Sequence, residues 1–288
     1  RLVEEWGIEG DAHVGKWHRQ VSMLSFEKIE AFREKGADVD FGAFGENLIV
    51  DGYDFRNLPV GTRFRCNDVL LEMTQIGKEC HSHCAIYKVM GDCIMPREGV
   101  FTRVLKGGEI KAGDEITMLP LEKDRPFTAA VITLSDKGAA GEREDKSGPL
   151  IQEMLTKEGY DVIETLLLPD GEQPLKHQLM RLADQRQVNV IFTTGGTGFA
   201  ERDVTPEATQ AVCDRMAMGI ADAIRQYSLS ITGRAMLSRA VSGIRKKTLI
   251  VNLPGSPKAV KESLEYVLPH LGHGLGILRG TDGECGNS

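Results

Sequence analysis

Two rhythms of hydrophobic and polar residues follow one another along this chain. Through residue 119 short alternating runs dominate, among them VSML, ENLIV, RFRC, VLLEMTQI, FTRVL and DEITML, with glycines between them. Alternation with a period of two marks half-buried strands, so residues 1–119 are predicted to form a small, mostly β barrel or sandwich. One helix interrupts them, SFEKIEAFREK, with Ser25 placed as its N-cap. From Thr128 onward the order is strand, helix, strand, helix. TAAVITLS precedes a helix from Ser147, VIETLLL precedes LKHQLMRLADQ, VNVIFTT precedes TPEATQAVCDRM, and TLIVNL precedes SPKAVKESLEYVL. Such alternation predicts a three-layer α/β domain with a mainly parallel sheet covered on both faces.

Between the two rhythms stands LPLEKDRPF, Leu119 to Phe127, with two prolines and four charged residues. A linker over 120–126 therefore divides a first domain, 1–119, from a second, 127–280, and the polar tail 281–288 is expected to be disordered. The chain opens on Arg1 with what reads as mid-domain sequence, so residues upstream are expected to be missing. A chain of 288 residues is long enough for two cores.

Charge and cysteine content narrow the function classes. The chain carries 35 basic and 42 acidic residues, a net charge of −7, and its basic residues form no stripe, so no nucleic-acid partner is expected. Its apolar runs are strand-length, too short for a membrane span. Six cysteines, four of them between Cys66 and Cys93, fit a reducing, cytoplasmic compartment better than a disulfide scaffold.

On parallel sheets ligands bind where strands end and helices begin. The loop after VNVIFTT reads TTGGTGFAERDVTPEA: Gly195, Gly196 and Gly198 leave backbone N–H groups unobstructed, and Thr205-Pro206 opens a helix with Thr205 as its cap. Asp203 before that helix and Asp170 in LPDG both stand at strand ends, where they could complement a helix dipole and fill a turn. Two such carboxylates beside a phosphate loop also suit Mg²⁺, which takes one or two carboxylates plus phosphate oxygens. A Mg²⁺-dependent nucleotidyl or phosphoryl transferase is the reading, without a GxxxxGK[ST] loop. The glycine-rich, charged loop from Ser135 to Ser147 is expected to act as a mobile flap.

These motifs in order, SD…DxSGP at 135–149, LPDG at 168–171, TGGTGxxxRDVTPEA at 194–208 and LSRAVSGIRKKTLIVNLPGSPKAV at 237–260, resemble the molybdopterin adenylyltransferase family. That resemblance implies that ATP and molybdopterin are joined with release of pyrophosphate. It implies Asp170 and Asp203 as catalytic carboxylates and Mg²⁺ ligands, and Gly195, Gly196, Thr197 and Gly198 around the nucleotide. Ser238, Asn252, Pro254, Gly255 and Ser256 would face the pterin, although Ser238 and Asn252 read equally well as buried polar groups tied to backbone. The resemblance further implies a homotrimer, built through the second half, and a molybdenum-insertion protein or molybdoenzyme as partner. A non-catalytic carrier of molybdopterin or its molybdenum cofactor is the rival class.

In the first half GKECHSHC, Gly77 to Cys84, holds two cysteines and two histidines in eight residues. Zinc on Cys80, Cys84, Cys93 and a histidine is one reading, although the spacing lacks paired CxxC knuckles. A reactive thiol is the other. GIEGDAHVGKWHRQVSML, FGENLIV, LPVGTRFRCNDVLLEMTQIGKEC and GGEIKAGDEI resemble, in order, the MOSC domain, with its first strand absent. The resemblance makes Cys80 the functional thiol, raises sulfur transfer and the binding of molybdenum or pyridoxal phosphate, and places Asp11, His13, His18 and Arg19 in its opening motif. Lys78, His81 and His83 are near enough in sequence to lower the pKa of Cys80.

Overall fold

The structure, a computed structural model, describes residues 1–80 and 84–282. It divides into two compact units, Arg1–Glu122 and Lys123–Ser288. The last six residues of the expected disordered tail lie outside the described residues, as do His81 and His83.

The first unit is built on a six-stranded sheet. A small ribbon, β1 (Leu2–Val3) and β2 (Gly7–Ile8), precedes β3 (Val21–Ser25), α1 (Phe26–Arg33), β4 (Leu48–Val50), β5 (Arg63–Cys66) and β6 (Val69–Ile76). Then come α2 (Ala85–Met90), α3 (Met95–Glu98), β7 (Val100–Lys106) and β8 (Thr117–Leu119). The strand order is β4-β3-β7-β6-β5-β8, antiparallel except for β3 with β4. The sheet is a curled half-barrel, in part the barrel-like fold expected, and its edge strands β4 and β8 do not pair. Each is only three residues long, and the curl comes from register shifts between β6 and β7 at Leu70/Leu71 and Met73/Gln75. Alternation sorts the core as the pattern requires. Met23 and Val100 join Phe55, Phe64 and Met73 in one cluster, while their neighbours Leu24 and Phe101 join Ile29, Phe32, Ile94 and Met95 in another. Ser25 holds the N-cap position of α1, but its hydroxyl donates to Glu27 instead of accepting a backbone N–H.

The second unit contains β9 (Thr128–Leu134), α4 (Asp136–Ala139), α5 (Ser147–Lys157), β10 (Asp161–Leu168), α6 (Glu172–Asp184) and β11 (Val190–Thr194). It continues with α7 (Thr205–Val212), β12 (Arg215–Met216), α8 (Met218–Ile231), β13 (Ser242–Arg245), β14 (Thr248–Leu253) and α9 (Pro257–Arg279). Its sheet, ordered β10-β9-β11-β14-β13-β12, is parallel through its first four strands and antiparallel at β13 and β12. Every residue of β11 and β14 is buried, which explains the unbroken apolar runs. Val131, Phe192 and Val251 pack on one face beneath α5, α8 and α9, while Ile132, Ile191 and Ile250 pack on the other beneath α6 and α7. Removing the Phe192 ring from this core would cost about 3–5 kcal/mol.

Two stretches differ locally from their sequence pattern. The helix expected across 205–216 stops at Val212, because Cys213 turns extended and Arg215–Met216 pairs with β13. The flap expected over Ser135–Ser147 is partly helical, since Ser135 accepts the Gly138 N–H at 3.0 Å and starts α4. Arg279, the last residue of α9, reaches back to the unit's beginning. It donates to the carbonyls of Arg125 (2.6 Å) and Pro126 (2.8 Å) and to Asn189 Oδ1 (2.8 Å), with its guanidinium 4.0 Å from the centre of the Phe127 ring.

Candidate functional site

The carboxyl ends of β9, β11 and β14 open onto one cavity of about 400 Å³. Thr133, Ser135, Arg143, Lys146, Thr194 and Gly195 are among the residues that line it. Its walls are tied to one another by short polar contacts. Thr194 Oγ1 donates to the Pro254 carbonyl at 2.6 Å, and Ser147 Oγ donates to the Gly255 carbonyl at 3.1 Å. Asp145 Oδ1 accepts the N–H groups of Ser147 and Gly148, both at 3.0 Å, and so fixes the first turn of α5. The hydroxyl of Thr133 is buried without a hydrogen-bond partner beside this space, an acceptor and donor left for a ligand.

Glycine at 195 is a steric necessity. Its φ is +95°, and a Cβ there would lie 2.4 Å from the Leu134 carbonyl oxygen. Thr205 departs from its expected role as cap. Val204 holds that position, and the Thr205 hydroxyl donates instead to the Gly195 carbonyl at 2.9 Å, fastening the loop to α7. Gly196, Thr197 and Gly198 continue the loop without lining this cavity, and Thr197 is buried.

At the neighbouring strand end Asp170 is paired with a residue whose role the sequence motif left unassigned. The Asp136 N–H donates to Asp170 Oδ2 at 3.2 Å, and the Asp170 N–H donates to Asp136 Oδ1 at 2.9 Å. Burial, together with the charges of Asp136 and Asp203, pushes the Asp170 carboxyl above the usual carboxylate range, while the Asp136 N–H and Arg202 oppose the shift. Acids that repel one another at a partly buried site are relieved by a cation, so the set fits Mg²⁺ together with phosphate oxygens. Among the described residues no group of three or more His, Cys, Asp or Glu side chains is arranged to hold a metal by itself. Asp203 accepts the Ala200 N–H at 2.9 Å and lines an adjoining hollow with Phe199, Glu207 and Arg239. Arg239 is a second residue that the sequence did not single out. It donates to the carbonyls of Gly198 (2.6 Å) and Asp203 and pairs with Glu207, holding the loop in place.

The expected pterin-facing residues divide. Pro254 and Gly255 meet the cavity wall through their carbonyls, and Ser256 caps α9 by accepting the Ala259 N–H at 3.3 Å. Asn252 is fully buried and fully used: its amide donates to Thr193 and Thr209, both at 2.9 Å, and its carbonyl accepts the Val241 N–H at 3.2 Å. Ser238 accepts the Ala240 N–H at 3.3 Å and lines neither space.

In the first unit His18 Nε2 meets Gln75 Oε1 at 2.8 Å, and the Gln75 amide donates to the Gly77 carbonyl at 2.7 Å. The guanidinium of Arg19 lies 4.7 Å from the Trp17 ring centre and 5.6 Å from that of Phe101, and Lys78 lies 6.0 Å from the same Phe101 ring. Asp11 accepts the His13 N–H at 2.6 Å and the Asn47 amide at 2.9 Å, so it braces a loop. Cys80, two residues after Lys78, is exposed. Cys84, also exposed, is the thiol whose pKa lies below the ordinary value, because the N–H of Tyr87 in the first turn of α2 points at its sulfur. Sequence distance favoured Cys80; the cap position of Cys84 becomes visible only when α2 is seen to start at Ala85.

Residues 130–273 match the family model described as a probable molybdopterin binding domain, and residues 10–117 match the MOSC domain. A molybdopterin adenylyltransferase of Haemophilus influenzae is 45% identical over 139 residues, covering 48% of this chain and 71% of the relative. One from Helicobacter pylori is 40% identical over 153 residues, covering 52% and 87%. Among solved structures, the molybdopterin biosynthesis enzyme MoaB of Thermus thermophilus aligns with a TM-score of 0.51 and 45% identity over 54% of this chain and 97% of its own.

Proposed function

Because this chain belongs to the family of probable molybdopterin binding domains through residues 130–273 and carries a MOSC domain at 10–117, we propose that it is a nucleotidyltransferase of molybdenum cofactor biosynthesis, the adenylyltransferase of molybdopterin. The observation that carries this reading is the cavity at the ends of β9, β11 and β14, which brings Arg143, Lys146 and the unpartnered Thr133 hydroxyl together beside the Gly195 turn. Arg143 and Lys146 attract the phosphates of ATP and the terminal phosphate of molybdopterin. The Gly195 backbone, pinned by Thr205 and kept free of a side chain, allows the nucleotide to approach closely. Asp170 and Asp203 would hold Mg²⁺, which when bound offsets charge on the phosphoryl oxygens. Asp136 keeps the Asp170 carboxylate aimed at that position. The terminal phosphate of molybdopterin attacks the α-phosphorus of ATP and pyrophosphate leaves.

The test is pyrophosphate release on mixing the protein with ATP, Mg²⁺ and molybdopterin. A carrier would bind molybdopterin and release none. Asp170→Asn and Asp203→Asn are each expected to slow release at least about tenfold, or about 1.4 kcal/mol, with molybdopterin binding retained. Turnover at the wild-type rate in both would overturn the carboxylate assignment. For the first unit, the MOSC domain supports a reading of cofactor binding or sulfur transfer through the exposed Cys80, and Cys80→Ser is expected to abolish it without slowing adenylyl transfer.

A further inference from the structure

Two oxygens on the wall of the second unit's cavity have no role in holding the fold. The other hydroxyls that line it are engaged: Ser147 and Thr194 donate to the Gly255 and Pro254 carbonyls, and Ser135 accepts the Gly138 N–H. Thr133 differs. It is 5% exposed, and its hydroxyl has no hydrogen-bond partner among the described residues. Asp145, on the same wall, is used on one side only. Its Oδ1 accepts the Ser147 and Gly148 N–H groups, whereas no described residue donates to its Oδ2. The two oxygens converge over Gly148. A Cβ built on that glycine would stand 2.5 Å from Asp145 Oδ2 and 2.7 Å from Thr133 Oγ1, so a residue without a side chain keeps the space between them open. A hydroxyl buried to this depth without a partner calls for one from outside the chain.

The chemistry of the pair selects that partner. An ionised carboxylate only accepts hydrogen bonds and repels a phosphate oxygen, while a threonine hydroxyl donates and accepts. A neutral group that donates to the first and accepts from the second is an alcohol hydroxyl. Phosphate oxygens have other partners in Arg143 and Lys146, which line the same cavity. We propose that Thr133 and Asp145 read one ribose hydroxyl of the nucleotide, so that the site selects a ribonucleoside triphosphate over its deoxy counterpart. The ribose hydroxyl donates to Asp145 Oδ2 and accepts the Thr133 proton. This rests on the adenylyl-transfer reading of the cavity and adds to it the part of ATP that the pair holds. A deoxynucleotide leaves a carboxylate oxygen and a buried hydroxyl unpaired together, and a site built to bond a hydroxyl discriminates strongly against the analogue that lacks it.

The test compares ATP, 2′-deoxy-ATP and 3′-deoxy-ATP in pyrophosphate release by the full chain with Mg²⁺ and molybdopterin, in wild type, Thr133→Val and Thr133→Ser. In wild type kcat/KM should fall about 10- to 100-fold for one of the two deoxynucleotides, the worth of a hydrogen bond to a charged group. The analogue that loses identifies the hydroxyl. Thr133→Val keeps the shape without the hydroxyl and should narrow that ratio at least about threefold. Thr133→Ser, which keeps the hydroxyl, should hold the ratio close to that of wild type. Equal kcat/KM for all three nucleotides in wild type would overturn the proposal, whatever the variants do. So would a deoxynucleotide penalty that Thr133→Val leaves at full size, because the ribose is then read elsewhere and Thr133 meets only water. Absence of pyrophosphate with every nucleotide, ATP included, would overturn the activity and this assignment with it, so the two failures read differently.

Discussion

Substituting Gly195 by alanine tests the geometry of the site most directly. A Cβ at this position meets the Leu134 carbonyl oxygen at 2.4 Å, about 1 Å inside ordinary contact, and that oxygen belongs to backbone at the end of β9 and cannot swing away. The residue also sits at a φ of +95°, where an L side chain is strained whatever the space around it. Backbone strain of this kind costs roughly 1–3 kcal/mol, and forced overpacking adds about 1–3 kcal/mol. A loss of roughly 2–4 kcal/mol is therefore expected, because the loop can relieve part of each by shifting away from Thr205. For a unit of this size that is on the order of 4–16 °C in Tm, read by calorimetry as the transition of the second unit alone. Gly255→Ala is the control. It lines the same cavity, but its added Cβ would meet only Gly195 Cα at 3.5 Å, an ordinary contact, at an ordinary φ. The change in Tm should stay within about 2 °C, corresponding to about 0.5 kcal/mol. Equal stability and equal pyrophosphate release in wild type and Gly195→Ala would refute the claim that this turn is sterically fixed.

Asn252→Ala should destabilise the second unit by about 2–4 kcal/mol in urea titration, because the Thr193 and Thr209 hydroxyls and the Val241 N–H lose their buried partner; a loss of pterin affinity at unchanged stability would show that the residue faces ligand instead. If ionised Asp170 is required, the acid limb of kcat/KM should lie above the usual carboxylate range, and Asp136→Asn, which removes a neighbouring charge while keeping an oxygen for the Asp170 N–H, should move it to lower pH. The same shift has a sign for stability: with the folded pKa above the unfolded one, ionised Asp170 costs stability at neutral pH, and the cost disappears as the pH falls through the folded pKa. In iodoacetamide labelling near neutral pH, followed by mass mapping, Cys84 should react well before Cys213, whose thiol titrates at about 11.

The parts of the fold that the sequence made legible are those decided by burial alone. β9, β11 and β14 read as strands because both faces of the sheet are covered, and helices beginning at Ser147 and Pro257 follow where expected. Where a partner far along the chain decides, local pattern misleads. The stretch from Cys213 to Met216 has helical spacing, yet Asp214 N–H donates to the Ile244 carbonyl and draws the chain into the sheet. The curl of the first sheet depends on bulges in β6 and β7 that leave no compositional mark. The site is legible to the same degree. Glycines and strand-end aspartates announce a ligand loop, but the pairing of Asp136 with Asp170 spans 34 residues, and Arg239 reaches Gly198 across 41. The resemblance and the neighbouring cations pointed to Cys80, and the backbone donor that lowers the Cys84 pKa came into view only with α2 in place.

The reach of Arg279 back to Arg125, Pro126 and Phe127 means that the lead-in to β9 and the end of α9 meet at one spot. A unit whose first strand and last helix meet in this way behaves as a cassette. Another domain can be joined at its doorway, or the two ends can be sealed and new ones opened in a surface loop, without separating any pair of strands or pulling a helix from the sheet. The clasp is made mostly to backbone carbonyls, which every residue possesses, so the joint tolerates changes in the side chains that lead into it. Within this unit, modularity is thus a property of a single arginine's position at the end of a long helix.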